Sequence, residues 1–182
     1  VESVTQYLKT HTKKVLHTAI DELIKERKVS EVLQDKEVAN NIYKLLQDVK
    51  VCDPAIGSGA YPMGVLNVLF NSRRLLYKYI GSPVEFSSVA VKKEIIQNNI
   101  YGVDIEKGAI DIARLRFWLA LVVDAEKQEA LPNLDYKFMQ GNSLIESYSG
   151  IDMSRIANGK VKPNDLKNNQ LLLGLDGDYC EK

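Results

Sequence analysis

Apolar positions recur at Val4, Tyr7, Leu8, Val15, Leu16, Ala19, Ile20, Leu23 and Ile24, the three-to-four spacing of an amphipathic helix over residues 1–26. Ser30 is placed to cap a second helix, whose apolar stripe runs through Leu33, Val38, Ile42, Leu45 and Leu46. The texture then changes. Val49-Lys50-Val51-Cys52-Asp53 is short and β-branched and stops at Pro54, which predicts a strand running into a loop around Gly57, Ser58 and Gly59. Residues 63–80 are rich in Leu, Val and aromatics and predict a largely buried helix. Gly81-Ser82-Pro83 and Ser87-Ser88 predict a loop leading into a short helix over 81–95. A second strand is expected at Ile100–Ile105, an apolar helix over 107–126, and a third strand at Tyr136–Met139 that ends at Gly141-Asn142-Ser143. From 147 onward the chain is polar apart from Leu171-Leu172-Leu173, and the pattern predicts no element there.

Strand, helix, strand, helix, strand is the order of a parallel sheet with crossover helices, so the expected class is α/β. The expected division is a helical segment at 1–48, a sheet-bearing core at 49–146 and a tail at 147–182. Ligands of such sheets bind beyond the carboxyl ends of the strands. All three predicted strands end in polar or glycine residues, which predicts one shared crevice.

Composition narrows the function classes. With 45% hydrophobic and 26% charged residues, the 182-residue chain suits one globular domain with a sizeable core. It holds no run of 18 apolar residues and no signal-peptide layout at its start, so no membrane partner and an intracellular place are expected. Its 24 basic and 24 acidic side chains cancel. A module that gripped DNA alone would carry a basic excess, so any nucleic-acid contact is expected to rest mainly on other regions. Cys52, inside an apolar run, is expected to be a buried reduced thiol, and neither it nor Cys180 sits in a zinc or disulfide framework.

The chemistry gathers at the strand ends. In Asp53-Pro54-Ala55-Ile56-Gly57-Ser58-Gly59-Ala60-Tyr61, Gly57 and Gly59 let backbone approach a ligand closely, and the loop feeds a helix N-terminus whose free N–H groups suit a carboxylate or phosphate. The spacing fits neither GxGxxG nor GxxxxGK[ST]. At the tip of the second strand, Asp104 could accept both hydroxyls of a ribose. Its distance from the glycine loop exceeds the usual interval of about 20 residues, which the inserted loop and helix near 81–98 would explain.

The nonapeptide resembles motif I of the amino-methyltransferases that modify DNA. That resemblance implies S-adenosyl-L-methionine as cofactor. Asp53 would meet its amino group, the Pro54-Ala55 turn and the Gly57-Ser58-Gly59 backbone would cradle its methionine end, and Tyr61 would pack beside it. Asp104 resembles the ribose-binding acid of that family, with Ile105 against the adenine ring. Asn142 stands where many members have Asp and would contact the adenine's amino edge.

Asp53–Tyr61, Tyr101–Leu121 and Leu134–Leu144 together are similar to the modification domains of type IIG restriction–modification enzymes, related to the type I systems. Val1-Glu2-Ser3-Val4 resembles the helix before motif I there, and the likeness spans roughly residues 1–153. It implies a Rossmann-like methyltransferase core with an incomplete sheet, site-specific adenine-N6 methylation of double-stranded DNA through other regions of the parent protein, and a bacterial cytoplasmic setting. The Asn/Asp-Pro-Pro-Tyr/Phe segment that holds the target base in such enzymes matches nothing here; Asn164, Lys162-Pro163 and Tyr179 lack its spacing. The expectation is therefore a cofactor-binding piece, inactive alone, with no catalytic residue assigned. A protein or RNA methyltransferase domain and a non-catalytic cofactor-binding module are the alternatives.

Other residues are read as structural. His11 and His17 are spaced poorly for one metal ion, and Lys9, Lys13 and Lys14 read as a solvated helix face. Phe117 and Trp118 read as core. Arg114 and Arg116 suit a phosphate or a surface ion pair equally well.

Overall fold

The computed structural model describes residues 1–123, 132–144, 147–148 and 151–152. The chain divides into two compact units, Val1–Ser143 and Leu144–Lys182. In the second, the described residues are Leu144 and two short antiparallel strands, β4 (Ser147–Tyr148) and β5 (Ile151–Asp152). The rest of the tail, with Leu171–Leu173 and Cys180, and the end of the helix expected over 107–126 lie outside the described residues.

The first unit is α/β. Its helical opening is broken rather than continuous: α1 (Glu2–Thr10), a 3-10 turn at Lys14–Leu16, α2 (His17–Asp21) and a π turn at Glu22–Glu26. The break follows from local side-chain chemistry. Thr10, His11 and Thr12 each bond back to a carbonyl four residues earlier, at Gln6, Tyr7 and Leu8, and Lys13 then leaves helical geometry. Such back-bonding competes with the helix ladder. Val4, Leu8, Ala19, Ile20, Leu23 and Ile24 are buried as the spacing predicts, but Val15 is exposed.

Ser30 precedes only a 3-10 turn, Glu31–Gln34, and makes no cap hydrogen bond. The second helix, α3 (Lys36–Asp48), is capped by Asp35, whose Oδ1 accepts the N–H groups of Glu37 and Val38 at 3.0 Å each. Its buried face is Ala39, Ile42, Tyr43 and Leu46. At its far end Asn99 closes the helix, donating to the carbonyls of Leu46, Gln47 and Val49. That side chain ties α3 to the start of the second strand.

Strand β1 (Val51–Asp53) runs through the glycine loop into α4 (Ala60–Tyr77), then α5 (Ser88–Asn98), β2 (Ile100–Asp104), α6 (Lys107–Val122) and β3 (Phe138–Gln140). Pro62 falls in the first turn of α4, where its missing N–H costs no ladder bond. The three strands are parallel in the order β1-β2-β3, with Asp53 beside Gly102 and Gly102 beside Phe138. This is an incomplete parallel sheet amid helices, as expected of a partial Rossmann-like methyltransferase core.

The two sheet faces differ. Ile100, Gly102 and Phe138 are buried, and Phe138 stacks on Phe117 of α6 with ring centroids 4.7 Å apart. On the other face Cys52 is paired with Tyr101, and Val103 with Met139. Here the expectation for Cys52 fails, for the thiol is exposed. Its strand-like surroundings are apolar in sequence, but its face of the sheet is only partly covered, and β1 pairs on one side alone among the described residues. Phe117 is buried. Trp118 is part-buried, and its indole N–H donates to the Pro132 carbonyl.

Candidate functional site

The loop after β1 is folded by its own side chains. Asp53 Oδ1 accepts the Ala55 N–H at 3.1 Å, a turn closed by an aspartate side chain. Ile56 donates its N–H to the Val103 carbonyl at 3.0 Å and packs its side chain on Gly102. Gly57 and Gly59 both have positive φ, 52° and 83°. Gly59 is constrained twice, because a Cβ there would also stand 3.2 Å from the Cβ of Ala113 on α6. Ala60 then opens α4, whose first-turn N–H groups have no partner within the helix.

Asp104, at the tip of β2, meets this loop directly. Its Oδ2 accepts the Gly57 N–H at 2.7 Å and its Oδ1 accepts the Glu106 N–H at 3.0 Å. Those two donors, Glu106 foremost, hold its carboxyl below the ordinary aspartate value against a smaller opposing effect of desolvation. Each carboxylate oxygen keeps a second acceptor position, so a pair of ligand hydroxyls could still be bound. Glu106 in turn caps α6 through its carboxylate and the Gly108 N–H.

The third strand end joins the same place. Gly141 donates its N–H to the Asp104 carbonyl at 2.9 Å, and Gln140 Nε2 donates to the Ile105 carbonyl at 3.1 Å. Ser143 Oγ donates to the Pro54 carbonyl at 2.7 Å. The residues expected from the sequence therefore converge: Asp53, Pro54, Ala55, Gly57, Ser58 and Gly59 form the loop, Asp104 is bonded to it, and Asn142 lies between two residues that contact the other strand ends. Asn142 is exposed, Ile105 is 70% exposed, and Tyr61 is 46% exposed with its hydroxyl 2.8 Å from Ser3 Oγ. The site is open, with an uncovered apolar side chain beside an acceptor-rich tip.

The contacts of Ser143, Gln140 and Glu106, and the seat of Ile56 on Gly102, were not read from the sequence. The Ser143 bond spans 89 positions, and no local pattern reports it. Other candidates resolve as structural. Arg114 donates to the Phe138 carbonyl at 2.7 Å and pairs with Asp135 and Asp111. His11 and His17 bond to backbone carbonyls of Tyr7 and Lys9, and Lys9 pairs with Asp21 at 2.6 Å. Among the described residues no cluster could hold a metal ion, and no helix is long and apolar enough to cross a membrane. A cavity of about 430 Å³ lies along α4, between Gly64, Asn67, Asn71 and Ser72 and the π turn, and contains none of the strand-end residues.

Beside this geometry stand the comparisons with known proteins. Residues 98–174 match the Eco57I restriction-modification methylase family. The matched stretch takes in β2, α6 and β3, while the glycine loop lies before it. A protein of Methanocaldococcus jannaschii, named as a candidate type II restriction enzyme and methyltransferase, is 34% identical over 134 residues, covering 70% of this chain. The chain spans 11% of that relative's length. No solved structure matches. The chain is thus related to the methyltransferases of restriction–modification systems.

Proposed function

We propose that the chain is the S-adenosyl-L-methionine-binding part of a site-specific DNA adenine-N6 methyltransferase in a type IIG-like restriction–modification system. The observation that carries this reading is the bond between Asp104 and Gly57, which brings a ribose-type acceptor and a carboxylate-type cradle into one site. The match to Eco57I methylases across β2, α6 and β3 supports it, as does the relative whose name joins restriction and methylation.

The residues fit that cofactor. Gly57 has open space where a Cβ would stand, so backbone can come close to a ligand. The N-terminus of α4 favours the methionine carboxylate, and Asp53, with Oδ1 held by Ala55, presents the rest of its carboxylate to an ammonium group. Asp104 takes the ribose hydroxyls, Ile105 supports the adenine ring and Asn142 meets its amino edge. The cofactor supplies an electrophilic sulfonium methyl group. What remains for protein is to align an amino nucleophile with it and to draw the target base out of the duplex. Nothing in the 182 residues matches the Asn-Pro-Pro-Tyr segment that would do so. Double-stranded DNA is accordingly a partner through other regions, and the chain alone binds cofactor without turning over.

Calorimetric titration of the chain with S-adenosylmethionine, beside an Asp104→Ala variant, tests the reading. Binding that weakens at least tenfold in the variant supports it. A folded chain that does not bind, or a variant that binds equally well, refutes the assigned site. Methyl transfer to DNA by the purified chain would refute its predicted inactivity.

A further inference from the structure

The cavity along α4, apart from the strand ends, has a volume of about 430 Å³, within the size range of small-molecule sites. Gly64, Asn67 and Val68 of α4 line one side, and Leu23, Ile24 and Arg27 line another. Arg27 ends the π turn with φ 58° and ψ 37°, the left-handed conformation, and the Lys28 N–H behind it donates to the Glu22 carbonyl at 3.1 Å. Glycine takes that conformation without strain. Among the described residues Arg27 is the one non-glycine residue with positive φ. Strain kept at a cavity wall points to a use for the side chain that causes it.

Two further groups at the cavity lack partners. Ser72 is 2% exposed and lines the same space, and its hydroxyl has no hydrogen-bond partner among the described residues. A buried hydroxyl left unpaired costs stability, which a polar group in the cavity would relieve. The side-chain amide of Asn67 is likewise unbonded among the described residues, whereas Asn71 donates to the Asn67 carbonyl and accepts from Arg74. Lys25, the other cation of the lining, is paired with Asp21 at 3.0 Å and Glu2 at 3.8 Å. Arg27 has no ion pair among the described residues.

We propose that this cavity binds a small molecule carrying one anionic group, a carboxylate or a phosphate, on an apolar body. Arg27 supplies the counter-charge, because a guanidinium presents paired N–H donors to either oxyanion. The Ser72 hydroxyl and the Asn67 amide add uncharged donors, and Leu23, Ile24 and Val68 receive the apolar body. With Lys25 neutralised, one positive charge is left over, which suits one anionic group and not a polyanion. The site is independent of the cofactor reading, whose residues are all absent from this cavity.

The test titrates the 182-residue chain with phenyl phosphate, benzoate, phenol and inorganic phosphate. Proton–nitrogen correlation NMR follows the Gly64 amide, the Asn67 side-chain amide and Arg27 Nε. Phenyl phosphate or benzoate is expected to shift these signals saturably, with a dissociation constant below about 1 mM. Which of the two binds more tightly separates phosphate from carboxylate ligands. Arg27→Gly should weaken the bound probe about tenfold or more, the worth of a charge-assisted hydrogen bond, while its unfolding temperature holds or rises. Gly64→Met, whose side chain enters space with no atom within 4 Å of a Cβ, should abolish binding by filling the cavity, and it keeps the test decisive if Arg27→Gly does not fold. No saturable shift with either anionic probe would mean a cavity holding solvent only and would overturn the proposal. Unchanged affinity in both variants would overturn it too, as would phenol or inorganic phosphate binding as tightly as phenyl phosphate.

Discussion

Ile56 lies against the backbone of Gly102, so that a methyl group added there would overlap its Cδ1 and stand 2.9 Å from its Cβ. The glycine in the middle of a buried strand is there to seat a side chain from the glycine loop. Ile56, only 4% exposed, is what presses that loop onto the sheet.

Gly102→Ala is therefore expected to cost about 1–3 kcal/mol, the range for overpacking a close-packed interior. Ile56→Val combined with it should recover part of the loss. Urea unfolding of the two single variants and the double variant checks this; strict additivity would mean that the two positions do not compete for space.

Asp104 gives a pH prediction whose sign follows from its donors. The N–H groups of Glu106 and Gly57 favour its charged form and lower its folded value. Its contribution to folding is then complete above the unfolded value, about 3.9, and is lost as pH falls through the lower folded value. Asp104→Asn removes the titration. The stability gap between wild type and variant should stay constant from about pH 7 to pH 5 and shrink below about pH 4. Urea titrations at stepped pH measure it, and a gap that persists through acid would mean that the charge is immaterial to those bonds.

Much of this arrangement was legible beforehand. Strands β1 and β2 and helices α4 and α6 follow their apolar runs, and the polar strand ends predict a common meeting point. What failed failed for physical reasons. Ser30 looked like a cap because it precedes an apolar run, but Asp35, nearer the helix, bonds two of its free N–H groups. The threonines and His11 break α1 through bonds that helical periodicity does not contain. Asn99 and Ser143 act across the fold, on partners more than 45 positions away. Their amino-acid types are common in turns and carry no mark of that reach.

Arg73 is 1% exposed between α3, α4 and α5, bonded to Glu94 at 2.6 Å and to the Tyr43 hydroxyl, with Nε and Nη1 unpartnered among the described residues. Glu94→Gln would leave the guanidinium without its counter-charge. The expected loss is about 3 kcal/mol, the low end for a broken buried pair because Glu94 is itself partly exposed. Adding Arg73→Met should be less damaging than Glu94→Gln alone. Chemical unfolding followed by circular dichroism separates the cases.

The exposed thiol of Cys52 is open to direct assay. In a Cys180→Ser background, Ellman's reagent should label the native protein to completion at a rate near that of a free thiol. Labelling that waits for denaturant would show Cys52 to be covered after all.

A single continuous core runs from Val4 on α1, through Leu46 and Leu69, to Phe138 on β3. The helices that open the chain and the loops that carry its chemistry therefore answer to one packing problem. Ala39 and Leu8 are both fully buried in that core, so a bulkier residue at either must displace its neighbours. Variation in a segment that touches no ligand is thus expected to travel with variation in the ligand-bearing half, inherited as a pair.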